Sequence, residues 1–430
     1  MLLKFKVSNF GSIGGLQEFN MLCGNTRAKQ DHISEIGNVR VLKNAVMYGA
    51  NAAGKSKFIS SIEVSQSIIL SSLTSRPDIR KMYCRVDQDN KKKTSYFEYI
   101  FSVGNRFFSY GFEAVLNELR IDSEWLIELD SQLGEDRLIF QRESGNVFSF
   151  GNVFDKEAGT RLGFYASDMK NMQANTFLSE MNQKNLDENE SLKIFRTIYS
   201  WFKTKLFVNH VKMPDKKSIS AAGRILKGMD TDISGLSSNL ISQKELENYP
   251  QNSLAYIENY LRGSASTPSQ SVYITPDWVL FELGNNGLKA SKLLTIHGSN
   301  NLFDIAEESS GTVNVLYLIS LLTDEEDDVT YIWDGFGNSL HPKLSYRFME
   351  LLQKHNENSS RQFIVSTHEV ALMTLDLYRR DEIWFIEKND GVSSLYSLEE
   401  FKERFDKILS KAYIEGRYGA LPSIKSVEGE

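Results

Sequence analysis

The sequence predicts an α/β fold whose parallel sheet is assembled from both ends of the chain, with an antiparallel β subdomain appended and a helical domain inserted. Three observations carry this. GANAAGKS at residues 49–56 follows a short apolar run, 44–48, and precedes apolar residues at helical spacing. Residues 94–150 alternate like antiparallel strands. After residue 310 the chain alternates between strand and helix signals. The glycine-rich loop and those late strands lie far apart in sequence, so a split domain is the economical arrangement. Its N-terminal part is 1–160, the helical insert 161–270 and the C-terminal part 271–430.

The elements follow in order. Residues 1–22 read as an edge hairpin, with Leu3, Phe5 and Val7 alternating with Lys4 and Lys6 before Gly14-Gly15 turns the chain. A helix over 56–73 places Phe58, Ile59, Ile62 and Ile68 or Ile69 on one face. Strands at 96–103 and 107–115 flank the hairpin signal Gly104-Asn105, and 124–128 and 138–142 continue the pattern. Leu192, Phe195, Tyr199, Phe202 and Leu206 then form a helical stripe, and Leu254, Ile257 and Leu261 a second. Residues 263–269 read as a linker or mobile loop, followed by strands at 271–274 and 279–283. A helix after Gly311, a strand at 329–333, a helix after Pro342 and strands at 362–366 and 382–386 complete the chain. No heptad run long enough for a coiled-coil arm occurs.

Composition bounds the function. A chain of 430 residues with 41% hydrophobic and 24% charged content has an ordinary core, and its net charge of −7 argues against a surface that grips nucleic acid throughout. Lys91-Lys92-Lys93 and Lys216-Lys217 read as solvated loop tips, and 324–328 (DEEDD) as a solvated turn rather than a docking surface. Cys23 and Cys84 have no metal-like spacing, MLLKFKVSNF is no signal peptide, and no apolar run is long enough to span a bilayer. A soluble, cytoplasmic protein without a membrane partner is expected.

The loop at 49–56 fits G-x-x-x-x-G-K-[ST] in the strand–loop–helix context that the motif requires. Gly49 and Gly54 let the backbone around Asn51 curl so that several N–H groups face one anion. Lys55 brings charge to the β- and γ-phosphates, and the Ser56 hydroxyl is a natural Mg²⁺ ligand. ATP with Mg²⁺ is the expected ligand. Ser309, Ser310 and Gly311 in ESSGT precede an apolar helix, a pattern that serves an anion site or an ordinary N-cap. Asp334 ends the hydrophobic strand in YIWDGFGNSLHP, where a carboxylate reaches a Mg²⁺-bound water. His368 ends the strand FIVSTH, where an imidazole can donate to a γ-phosphate.

In this order the motifs resemble the ABC-type ATPases of the SMC-like and OLD-like branch. Among them are compact bacterial ATPases of abortive-infection and restriction-linked operons, such as the ATPase subunit of PARIS-like systems. The opening LLKFKVSNFGSI, the strands around YFEYIFSVGNRFFSYGF, RRDEIWFIEKND at 379–390 and KAYIEGRYGALP at 411–422 carry the same resemblance. It implies an ABC-ATPase-like phosphate-loop domain that works as a head-to-tail pair. Lys55 and Ser56 act in cis, Ser309 to Gly311 reach the γ-phosphate in trans, His368 is the switch histidine, and Ser339-Leu340-His341 crosses the dimer interface. No Gln is assigned to the Q-loop strand.

The chain departs from the family at Gly335, where a water-activating Glu normally follows the Asp. Slow hydrolysis is therefore expected, and either Glu369 substitutes or ATP mainly holds a closed assembly. The favoured reading is a sensor or scaffold subunit of an anti-phage defence system. It would act with a separate effector, a nuclease, and be triggered by a phage protein or DNA. Only about 60 residues follow His368, too few for a further domain of ordinary size. The alternatives are an ATPase that is itself a nuclease, resting on the R-x₄-H spacing of Arg27 and His32, and an SMC-like DNA-repair ATPase.

Overall fold

The computed structural model describes residues 1–422 apart from 77, 131–134, 145, 187–188, 210–215, 230–231, 248, 264–271, 276, 285–286, 299 and 402–407. The expected linker at 263–269 lies outside the described residues except for Gly263. Among the described residues no helix is long and apolar enough to cross a membrane. The chain divides into two compact units. The first holds the described residues of Met1–Asn209, Asp327–Gly337 and Asn356–Glu430, and the second those of His210–Glu326 and Asn338–His355.

The first unit begins with β1 (Leu2–Ser8), β2 (Gln17–Asn20), the small ladder β3 (Ile33–Ile36) and β4 (Val39–Leu42), and β5 (Asn44–Tyr48). Then come α1 (Lys55–Leu70), the strands β6 (Ser95–Val103), β7 (Arg106–Val115), β8 (Arg120–Leu129), β9 (Arg137–Glu143) and β10 (Val147–Phe150), the helices α2 (Lys156–Asp168), α3 (Phe177–Gln183) and α4 (Lys193–Thr204), and β11 (Leu206–Val208). The second unit contains α5 (Lys216–Lys227), β12 (Ile233–Leu240), α6 (Gln243–Leu246), α7 (Gln251–Gly263), β13 (Val272–Ile274), β14 (Val279–Gly284), β15 (Gly287–His297), β16 (Asn301–Asp304), α8 (Ser310–Thr323) and α9 (Pro342–His355). The chain completes the first unit with β17 (Thr330–Trp333), β18 (Gln362–Ser366), β19 (Ile383–Asn389), β20 (Val392–Ser397) and α10 (Leu409–Ile414).

Two sheets enclose α1. One is antiparallel, in the order β10-β9-β8-β7-β6-β1-β2. The other runs β11-β17-β18-β5-β19-β20 and is parallel except for β20. All five residues of β5 are buried, as a parallel strand covered on both faces requires. Phe58 of α1 packs edge-on against Phe5 and Phe19 at 5.8 and 5.7 Å, and one core runs from these rings through Ile59 and Ile62 to Met47 and Ile364. Gln66 Nε2 donates to the carbonyls of Phe202 and Leu206, both at 2.7 Å, and so ties α1 to α4 and β11.

The expected helical insert is divided rather than continuous. Through Asn209 its residues belong to the first unit, and β11 and β12 interrupt its helices. The α4 stripe feeds the core of the first unit, where Trp201 stacks on Phe101 at 4.2 Å and Phe202 meets Tyr99 at 5.0 Å. Leu206, read as the end of that stripe, instead opens β11, because the helix stops at Thr204 and Leu206 to Val208 pair with β17. The second unit carries its own antiparallel sheet, β12-β15-β14-β13 with β16 beside β15. Lys91 to Lys93 are exposed, whereas Lys216 and Lys217 open α5 instead of a loop tip. In the acidic run, the carboxylates of Asp327 and Asp328 hold Ser360.

Candidate nucleotide site

The parallel register pairs Ile332 with Ile364, Ile364 with Ala45 and Met47 with Trp384. The carboxyl ends of β17, β18, β5 and β19 therefore lie along one edge, where ligands gather in open α/β sheets. Beyond Tyr48 the chain turns through Ala52 at φ 61° and Gly54 at φ 118° into α1. A side chain at Gly54 would be strained and would collide with Ser393 Oγ, and one at Gly49 would meet the Ile386 carbonyl. Ser393 Oγ donates to the Ala53 carbonyl at 2.6 Å and lies 2.7 Å from Ser12 Oγ, bracing the loop from behind.

Lys55 is only 6% exposed, and its Nζ donates to the carbonyls of Gly49 (2.7 Å) and Ala50 (3.2 Å). Asn51 and Ser56 are exposed. Burial pushes the Lys55 ammonium down to about 8, against the pull of Asp334. A triphosphate selects the charged form, so affinity for a non-hydrolysable ATP analogue is expected to be full below pH 8. Above it, affinity should fall by up to about tenfold per pH unit. Calorimetry between pH 7 and 9.5 reads this, and a flat profile excludes Lys55 as the titrating contact.

Asp334 follows β17, and both of its polar ends are held. Its N–H donates to Asn209 Oδ1 at 2.9 Å, and its carboxylate Oδ1 accepts the Ser366 hydroxyl. Gly335 and Gly337 adopt φ 75° and 83° around the buried Phe336. His368 is exposed beyond β18. Burial and then Lys55 lower its imidazole, with Asp334 opposing, so it is neutral near pH 7 and offers one N–H. Glu369, the alternative acid, accepts the Ala371 N–H at 3.1 Å and caps the turn Val370–Leu372. The Ser56 hydroxyl and the Asp334 carboxylate are hard oxygen donors of the kind that would hold Mg²⁺, which would supply charge to a bound triphosphate.

Ser309 to Gly311 belong to the second unit. Ser309 Oγ accepts the Thr312 N–H at 3.1 Å, so it caps α8 while it and Ser310 stay exposed. Gly311 lies under the segment 339–341: a Cβ there would stand 2.5 Å from the Ser339 carbonyl. Glu308 is held by Thr295 Oγ1 and by His297 Nε2 at 2.7 Å. Asn209 and Ser393 escaped the sequence reading. Only the pairing of Val208 with Ile332 places Asn209 beside Asp334, and only β20 brings Ser393 under the loop.

Arg27 and His32 form no common centre. Arg27 is exposed, while His32 is buried with Nδ1 2.9 Å from the Glu382 carboxylate and 3.2 Å from Asn44 Nδ2. Burial raises the Glu382 carboxyl, and His32 opposes that shift. The neighbouring Arg379 pairs with Asp381 at 2.7 Å and donates to the Thr26 carbonyl at 2.9 Å, which fastens this N-terminal stretch to the core.

The profile of a protein family described as "AAA domain, putative AbiEii toxin, Type IV TA system" matches residues 45–374, from β5 past His368. No curated protein sequence matches the chain. Among solved structures it is similar to an Smc head bound to the C-winged helix domain of ScpA, at 12% identity and TM-score 0.44 over 96% of this chain and 99% of that one. The SMC head domain of Thermotoga maritima aligns at 13% identity and TM-score 0.35, over 92% and 98%. An Smc head with an extended coiled coil, bound to the C-terminal domain of ScpA derived from Pyrococcus furiosus, aligns at 15% and 0.42, over 97% and 98%.

Proposed function

The chain belongs to this AAA-domain family, and within it we propose an ATP-binding subunit that senses or scaffolds in a bacterial anti-phage defence system. It holds MgATP longer than it hydrolyses it, and it acts through a separate effector, a nuclease. The observation that carries this reading is the site around Lys55. It has a braced phosphate loop, an anchored Asp334 and a neutral His368, yet glycine where the water-activating carboxylate belongs. Such a site binds and positions a triphosphate without driving its cleavage.

Two copies complete the site in this reading, Ser309 to Gly311 of one meeting the γ-phosphate held by Lys55 and Ser56 of the other. The exposed Ser309 and Ser310 at the start of α8 suit that contact. Light scattering is expected to show Mg-ATP-dependent self-association, weakened about tenfold or more in Ser309→Arg by charge and bulk at the phosphate contact. A chain that stays monomeric with Mg-ATP removes the paired site. Co-purification of the native operon with mass spectrometry identifies the effector, and recovery of the chain alone argues against one. Cleavage of RNA or DNA by the isolated chain would favour the nuclease reading.

A further inference from the structure

We infer that Ser366 is a positioning residue for the metal-side carboxylate: its single hydroxyl locks Asp334 in the orientation that receives Mg²⁺-ATP. The inference rests on the nucleotide-site reading above and adds a residue whose side chain need not touch the ligand.

The polarity of the hydrogen bonds is determined by counting protons. Gly335 N–H is a donor and lies 2.9 Å from Ser366 Oγ, so it takes a lone pair of that oxygen. The hydroxyl proton is left for Asp334 Oδ1, its other neighbour. Ser366 is fully buried, so water does not replace either bond without opening the sheet edge. Ser366 and the next residue, Thr367, hold the rest of the turn. The Ser366 carbonyl accepts the Phe336 N–H at 2.8 Å, and Thr367 Oγ1 donates to the Phe336 carbonyl at 2.7 Å. Thr367 N–H in turn donates to the Met47 carbonyl at 3.0 Å, on the strand that leads into the phosphate loop.

The consequence is specific. With Oδ1 engaged by Ser366, Oδ2 would be the oxygen left for a metal or its water. Asp334 also exerts a charge on Lys55, so a carboxylate that swings would follow that ammonium instead of the metal. Gly335 and Gly337 supply no side chain to restrain the turn, which Ser366 and Thr367 clamp together with Asn209 at the Asp334 N–H. Hydrogen bonds of this kind, from outside the ligand set, commonly change metal affinity by about 10–100-fold when removed.

The test titrates Mg²⁺ into the full chain with a fluorescent non-hydrolysable ATP analogue, alongside the affinity for that analogue in EDTA. Ser366→Ala is expected to raise the Mg²⁺ midpoint about tenfold or more, leaving the EDTA affinity within about twofold. Ser366→Thr, which keeps the hydroxyl, is expected to restore the midpoint. A folded Ser366→Ala with an unmoved midpoint overturns the inference, as does an equal loss of affinity with and without metal, which marks a merely structural role. If Ser366→Ala does not fold, Ser366→Cys, a weak donor of similar size, carries the same comparison. A wild-type chain whose nucleotide affinity ignores Mg²⁺ overturns the metal reading itself, whereas normal Mg²⁺ dependence with an indifferent Ser366→Ala removes only this inference.

Discussion

Replacing Lys55 by alanine is expected to abolish nucleotide binding in a chain that stays folded. The residue opens α1 with its amine folded back on the carbonyls of Gly49 and Ala50. A triphosphate arriving in the loop replaces those neutral acceptors with charged ones, and charge-assisted hydrogen bonds are roughly twice as strong. Losing the cation costs the ligand about 100-fold or more in affinity. The fold loses little, because the core around α1 is built by Phe58, Ile59 and Ile62, which Lys55 does not join. Calorimetry with a non-hydrolysable analogue and circular dichroism on the same sample measure both quantities. Unchanged affinity in the folded variant would remove the nucleotide site from Lys55.

Hydrolysis is expected to be at least about 100-fold below the 1–10 s⁻¹ of an ordinary ATPase, because a water-orienting carboxylate is worth roughly 10²–10⁴. The sequence alone suggests that Gly335→Glu restores it. The backbone qualifies that expectation. Gly335 sits at φ 75°, in the left-handed region, and a glutamate held there costs about 1–2 kcal/mol of backbone strain. The variant should therefore raise phosphate release while lowering the midpoint of denaturant unfolding. Steady-state phosphate release and a urea titration separate the two effects. Ordinary turnover by the unaltered chain would show that another group, Glu369 foremost, orients the water, although Glu369 is occupied in capping its own turn.

Much of the fold was legible because its signals are local. The alternation of Leu3, Phe5 and Val7, the Gly104-Asn105 hairpin and the run Gln362–Ser366 each announce their element through side-chain period or turn chemistry. The β15 and β16 strands were missed: 287–297 mixes lysines with apolar residues, and Asn301–Asp304 is too short to show a period. The division of the helical region was illegible for a different reason. An amphipathic stripe shows that a face is buried but not against what, and α4 turned out to pack on α1 and the antiparallel sheet.

Membership of a nucleotide-binding family, the identity of Lys55, Ser56, Asp334 and His368 as candidates, and the missing carboxylate at 335 are all properties of the sequence itself, since motif chemistry depends on residue type and spacing along the chain. What only the tertiary structure decided is how those residues are held. Asn209 and Ser366 lie far along the chain from Asp334, and Ser393 from Ala53. Parallel pairing of β11, β17 and β18 brings the first two within hydrogen-bond reach, and the antiparallel pairing of β20 with β19 brings the third. The same folding buried His32 against Glu382 and left Arg27 at the surface, dissolving a spacing that looked like a second centre. Hydrogen bonds act over about 3 Å of space whatever the separation in sequence, so the supports of a site become visible only once the strands have been laid side by side.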